Sequence, residues 1–276
     1  MPKYFSIDFA QTYACVYRGQ YQGYGGYLHP VKDFDAKPLD SFIGIDRELK
    51  ILCQNTQSFM QGNDASHVLL WGARGCGKSS SIKAVLKLFA YADSSCQESL
   101  KLLESPVLMP LRVIEIPKVE LQILPFILDF VRELPYCFVV FCDELAFSSD
   151  DESYKALKSL LSGSIEGFPK NVLLYATSNM RHLLVEDYAQ DTLHTIDSKD
   201  EILALSERFG ISLGFYTLGT QEYFTIIESL LATKQDLPAQ LDSTMRKMAL
   251  NFATQKGSRN PRIAQEFVKF YHNSLL

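Results

Sequence analysis

Residues 68–80 read Val68-Leu69-Leu70-Trp71-Gly72-Ala73-Arg74-Gly75-Cys76-Gly77-Lys78-Ser79-Ser80. Four apolar residues lead into G-x-x-x-x-G-K-S, and Ile82, Val85, Leu86 and Phe89 then recur at i, i+3, i+4 and i+7. A buried strand, a glycine-rich loop and an amphipathic helix, in that order, are the setting this motif requires. Glycines let the backbone wrap closely, so its N–H groups can point at phosphate oxygens beside a helix N-terminus. Lys78 is then placed to neutralise β/γ-phosphate charge and Ser79 to hold Mg²⁺. Residues 72–80 are the expected phosphate cradle.

Outward from this loop the chain alternates. Short apolar runs at His67–Trp71, Arg112–Ile116, Cys137–Cys142, Asn171–Thr177 and Ile211–Tyr216 are separated by helical periodicities. One of these carries Ile127, Phe130, Val131 and Leu134 behind Pro125, and another carries Tyr154, Leu157 and Leu161. Continuously apolar strands alternating with helices predict an α/β fold with a five-stranded parallel sheet covered on both faces. After Tyr216 the strands stop, and Thr220–Ala232, Leu241–Thr254 and Pro261–Tyr271 read as three helices. The expected organisation is an N-terminal arm over 1–40, an α/β domain over 41–217 and a small all-α lid over 218–276.

Four further segments carry candidate chemistry. The apolar run Cys137–Cys142 ends in Asp143-Glu144, which puts two carboxylates at the C-terminal edge of the sheet, where ligands bind in such folds. Asp143 is expected to orient the Mg²⁺ shell and Glu144 to polarise an attacking water. Asn179, directly after Tyr175-Ala176-Thr177-Ser178, can reach a γ-phosphate or that water, although Asn is also a common turn former at a strand end. Arg208 in Leu205-Ser206-Glu207-Arg208-Phe209-Gly210 can enter a neighbouring subunit's site as an arginine finger, and a surface ion pair is the plainer alternative. Arg262, opening the final helix, can report γ-phosphate state to the lid, with Arg259 as its rival.

Taken together these elements resemble the AAA+ ATPase superfamily in its usual order of Walker A, Walker B, sensor 1, arginine finger and sensor 2. More narrowly, the chain resembles the bacterial DUF815 family of predicted AAA+ ATPases, over roughly Phe42 to Phe267. The likeness rests on Val68–Ser80, Phe141-Cys142-Asp143-Glu144-Leu145, Ser153–Ser159, Asn171–Leu183, Leu205–Gly210 and the Arg259/Arg262 segment. It implies a P-loop NTPase that binds ATP with Mg²⁺, hydrolyses it in a homo-oligomer, and touches adenine through Phe42-Ile43-Gly44-Ile45. In that reading Ile43 and Gly44 join the nucleotide-binding residues. Two departures stand out: Asp93–Pro110 is longer than the family leads one to expect, with a helix expected over Gln97–Leu103, and the N-terminal region is short.

Composition narrows the role. The chain has 276 residues, 47% of them hydrophobic, 21% charged, and a net charge of -5. That composition excludes disorder as the default state. The acidic balance disfavours a free-standing nucleic-acid binder, though one basic face or a partner can compensate. No apolar run approaches the ~18 residues of a membrane span, and the opening MPKYFSIDFAQTY does not read as a secretory leader. The six cysteines contain no C-x-x-C pair and the five histidines show no metal spacing, so a reduced, cytoplasmic setting is expected. Cys76 sits in the loop at a helix N-terminus, where a lowered thiol pKa is conceivable; a small residue in a variable slot is the plainer reading.

Six of the fourteen tyrosines fall at 4, 13, 17, 21, 24 and 27. The stretches Tyr4–Phe9 and Tyr13–Tyr17 look strand-like. The arm reads either as a segment packed on the main domain or as an aromatic surface for a partner. The partner of an ATP-driven machine, protein or nucleic acid, is not written in these residues. Pro117–Leu124 carries no aromatic side chain of the kind a pore loop uses, which tilts the reading from a motor toward a nucleotide-gated switch.

Overall fold

The computed structural model describes residues 6–20, 22–23, 25–91, 109–147, 151–161, 165, 167–180, 183, 205–234 and 238–275. The expected helix Gln97–Leu103 lies outside them. Five strands fall where the apolar runs predict: β3 Val68–Gly72, β4 Leu111–Glu115, β5 Cys137–Cys142, β6 Val172–Ser178 and β7 Ile211–Phe215. They pair in parallel in the order β4-β5-β6-β3-β7. Every residue of β5 and β6 is buried, as a strand covered on both faces must be.

Among the described residues the sheet has seven strands, not five. The N-terminal arm supplies β1 Ala14–Arg18 and β2 Tyr27–Pro30. β1 runs parallel to β4 with Cys15 opposite Ile114, and β2 closes back antiparallel onto β1. An uncovered β4 would present a row of unpaired backbone groups, and the arm satisfies them. Of the expected strand Tyr4–Phe9, residues 6–8 have no regular structure and Phe9 begins a turn. Phe9 instead plugs the core, with its ring 4.9 Å from Phe138 and 6.2 Å from Phe130. Arg112 staples it there from β4. Its Nε donates to the Phe9 carbonyl at 2.6 Å, and its guanidinium lies 4.8 Å from the Tyr13 ring and 4.5 Å from that of Tyr136.

Side-chain alternation divides the sheet's two faces. Leu69, Ile114, Phe138, Val140 and Leu174 point to one face, packed under α3 Leu124–Val131 and α4 Glu152–Leu161. Val68, Leu70, Val113, Val139, Phe141 and Tyr175 point to the other, against α1 Asp46–Met60 and α2 Lys78–Ala90. The last three helices, α5 Thr220–Ala232, α6 Ser243–Gln255 and α7 Pro261–Leu275, bury Tyr223, Ile227, Met245, Ala249 and Phe267 in an apolar core of their own. Among the described residues, no helix is long and apolar enough to cross a membrane.

Candidate nucleotide site

β3 ends against β7, and its last residue must be glycine. Gly72 has φ +127°, and a Cβ there would lie 2.0 Å from the Phe215 carbonyl oxygen. The next amide, Ala73 N–H, donates to that same carbonyl at 3.1 Å, so the loop leaves the sheet in a fixed direction. Gly77 precedes α2 in the left-handed region, φ 99°, a conformation that costs glycine little. The loop therefore ends at the N-terminus of a helix 13 residues long, a place where backbone amides can face an anionic ligand.

Lys78 is buried and folds back over the loop. Its Nζ donates to the Gly72 and Ala73 carbonyls at 2.8 and 2.9 Å and to Asn179 Oδ1 at 3.1 Å. Burial holds its pKa below the usual lysine value, against the opposing fields of the Asp143 and Glu144 carboxylates among others. Ser79 Oγ donates to Asp143 Oδ1 at 2.6 Å. Two hard oxygen donors thus stand together at the mouth of the loop, the donor chemistry Mg²⁺ prefers. The strand ends bring these residues to one cleft: Lys78 and Ser79 from behind β3, Asp143 and Glu144 from behind β5, Asn179 from behind β6.

These residues line one cleft of about 690 Å³, together with Arg74 to Ser80 of the loop. Its far wall is made by Phe42, Ile43, Gly44 and Ile45 before α1, by Tyr216 to Leu218 after β7, and by Ile226 and Leu230 of α5. Arg262 lines the cleft as well. Arg259 turns elsewhere, with Nη1 donating to Thr220 Oγ1 at 2.7 Å. Arg208 is absent from the lining of its own chain's cleft, and its Nη1 donates to the Leu161 carbonyl at 3.2 Å at an exposed position.

Of the two readings of Cys76, a lowered thiol pKa is not the one its surroundings favour. The residue is buried, its Sγ faces the Arg74 carbonyl, and burial raises its pKa, with the nearby Lys78 charge only partly offsetting that. Desolvation of the thiolate outweighs the pull of the Lys78 charge.

Three residues in or linked to the site escaped the sequence reading. Thr177 connects Asp143 to the Glu144 amide through its hydroxyl. Asn260 donates from the lid to the Arg74 carbonyl in the loop. Glu115, at the end of β4, is half-buried with its pKa raised by burial and by Asp143, and lowered in part by Lys83. Polar residues at strand ends are too common for their type alone to mark them; only their neighbours across the sheet or the domain do.

No curated protein matches this sequence. Among solved structures, the chain is similar to the Aeropyrum pernix Orc1 protein in complex with DNA, at 14% identity and a TM-score of 0.55. That match covers 81% of this chain, which spans only 58% of the Orc1 chain. It is also similar to the Aeropyrum pernix ORC2 protein in its ADPNP and ADP complexes, at 13% identity and a TM-score of 0.50, over 87% of this chain and 70% of that one. The shared architecture is the P-loop AAA+ fold. A family model described as "Protein of unknown function (DUF815)" matches residues 11–275, and the chain accordingly belongs to the DUF815 family.

Proposed function

We propose that this protein is a Mg²⁺-dependent ATPase whose α/β base, residues 41–217, works against the helical lid, residues 218–276. The carrying observation is the convergence of Lys78, Ser79, Asp143, Glu144 and Asn179 on one cleft that the lid helps to close. In this reading the loop amides and Lys78 bind the phosphates, while residues 42–45 and α5 enclose the base. Ser79 and Asp143 would hold Mg²⁺, which when bound supplies charge neutralisation on the β/γ-oxygens. Glu144 accepts a proton from the attacking water as the water oxygen bonds in line to the γ-phosphorus and the bond from that phosphorus to the β,γ-bridging oxygen breaks, releasing ADP. Asn179, tied to Lys78 through its carbonyl oxygen, orients the γ-phosphate or that water.

Arg208 is the finger for a neighbour in a homo-oligomer, a role supported by its exposure away from its own cleft. Arg262 senses the nucleotide for the lid. The five described cysteines are all free, which fits a cytoplasmic setting. ATP use drives or gates a change on a protein or nucleic-acid partner. A second reading, a slow nucleotide-gated switch that controls assembly with little turnover, is favoured by the segment after β4. It forms a compact 3-10 helix, Lys118–Ile123, with no aromatic side chain.

The test is a pair of variants. Glu144→Gln should keep ATP binding and abolish Mg²⁺-dependent phosphate release, whereas Lys78→Ala should lose binding. Wild-type binding and turnover in both variants would sink the assignment. Comparing steady turnover with and without DNA or cell extract separates motor from switch, and a Glu144→Gln trap can retain the partner for identification.

A further inference from the structure

β5 and β6 pair with Cys142 opposite Ala176, so Asp143, just past the end of β5, and Thr177, within β6, meet at the C-terminal edge of the sheet. Thr177 is fully buried, and its hydroxyl is used in both directions. It donates to Asp143 Oδ1 and accepts the Glu144 N–H at 2.9 Å. The Thr177 carbonyl then takes the Leu145 N–H at 2.7 Å. Between these two anchored amides Glu144 has φ 55°, a left-handed conformation that non-glycine residues seldom adopt and that surroundings must impose.

A buried strand position needs a β-branched side chain only for packing, and Val would serve. The hydroxyl is therefore what requires an explanation. Both of its hydrogen-bonding capacities go to the two acidic residues, one through the side chain and one through the backbone.

We propose that Thr177 is a positioning residue for ATP hydrolysis, holding Asp143 in its Mg²⁺-facing orientation and turning Glu144 toward the attacking water. This rests on the ATPase reading above. Its role is separate from that of Asn179, which binds Lys78 rather than the acidic pair. Residues that orient metal-facing carboxylates typically matter by about 10–100-fold in activity or metal affinity.

The test uses the full chain with Thr177→Val and Thr177→Ser, beside wild type and Glu144→Gln. Thr177→Val should bind ATP within about threefold of wild type while its kcat falls by about 10–100-fold. The Mg²⁺ midpoint for binding should rise. Thr177→Ser, which keeps the hydroxyl, should recover most of the rate. A readout independent of turnover is amide exchange at Glu144, expected to accelerate in Thr177→Val and to stay protected in Thr177→Ser.

A Thr177→Val chain that keeps the wild-type kcat, or a folded Thr177→Ser chain as impaired as Thr177→Val, overturns the assignment. Turnover that Glu144→Gln removes would leave the ATPase reading standing in either case. If Thr177→Val fails to fold, the decision passes to Thr177→Ser: wild-type exchange and near-wild-type turnover support the hydroxyl's role, and their loss overturns it. A wild type with no turnover that Glu144→Gln can remove would sink the ATPase reading and the role of Thr177 together.

Discussion

Asn260 reaches from the start of the last lid helix into the phosphate loop. Its Nδ2 donates to the Arg74 carbonyl at 3.0 Å while its Oδ1 accepts the Ile263 N–H at 2.9 Å. One side chain thereby caps α7 and grips the loop. A Cβ on Gly75 would lie 2.8 Å from the amide, so the contact is close as well as polar. Movement of the lid against the base has to break or drag this bond.

Asn260→Ala removes both functions, and loss of the cap alone should cost about 1 kcal/mol of stability. Asn260→Ser keeps a capping oxygen but is too short to bridge to Arg74 as well. Serine should therefore restore thermal stability without restoring nucleotide affinity. Melting curves with and without ADP read both effects. Equal ADP affinity in all three proteins would show that the grip on the loop is incidental.

Arg262 and Arg259 separate by position. Arg262→Ala should reduce the preference for ATP over ADP more than it reduces ADP affinity, because its proposed partner is the γ-phosphate. Arg259 is held by Thr220 at 2.7 Å, so Arg259→Ala should instead loosen the entry into α5 and leave the preference intact. Titration of each variant with ADP and a non-hydrolysable ATP analogue checks this. A selective loss at Arg259 would transfer the sensor role to it.

Arg208 is proposed to act in trans, where a finger contributes about 10³–10⁵ in rate. Arg208→Ala should bind ATP nearly normally and hydrolyse it poorly, and wild-type turnover per subunit should rise as subunits assemble. Mixing Arg208→Ala with Glu144→Gln should restore some activity, since the first supplies an intact site and the second an intact finger. Flat specific activity across the monomer-to-oligomer range, with an inactive mixture, would return Arg208 to its bond with the Leu161 carbonyl.

His67 makes acid sensitivity a property of the sheet. Its Nδ1 accepts the Leu174 N–H at 3.0 Å, and burial lowers its pKa to about 4. The folded pKa is depressed, so the stabilisation is present above the unfolded value near 6.5 and is lost as pH falls through about 4. The unfolded chain takes up the proton first, and the full difference is on the order of 3 kcal/mol. Urea unfolding of wild type and His67→Asn, which keeps an acceptor but does not titrate, should show a steeper loss in the wild type between pH 6.5 and 4. Parallel slopes would locate the acid sensitivity elsewhere.

The loop from Gly72 to Ser80, the five core strands and the three lid helices were all legible as sequence, because each depends on neighbours within a few positions. Phosphate-loop chemistry is local, a strand covered on both faces is apolar throughout, and a packed helix repeats every 3.6 residues. Other features were decided only by the fold. The arm's apolar and aromatic residues did not show that it would extend the sheet, since pairing β1 with β4 joins residues some hundred positions apart. The register that sets Thr177 beside Asp143, and the grip of Asn260 on Arg74, depend likewise on contacts between distant segments. For Cys76 the local cue, a helix N-terminus, left a lowered pKa open beside the plainer reading of a small residue in a variable slot. Burial raised it instead, because desolvation is set by everything that packs around a residue and not by the residues beside it in the chain.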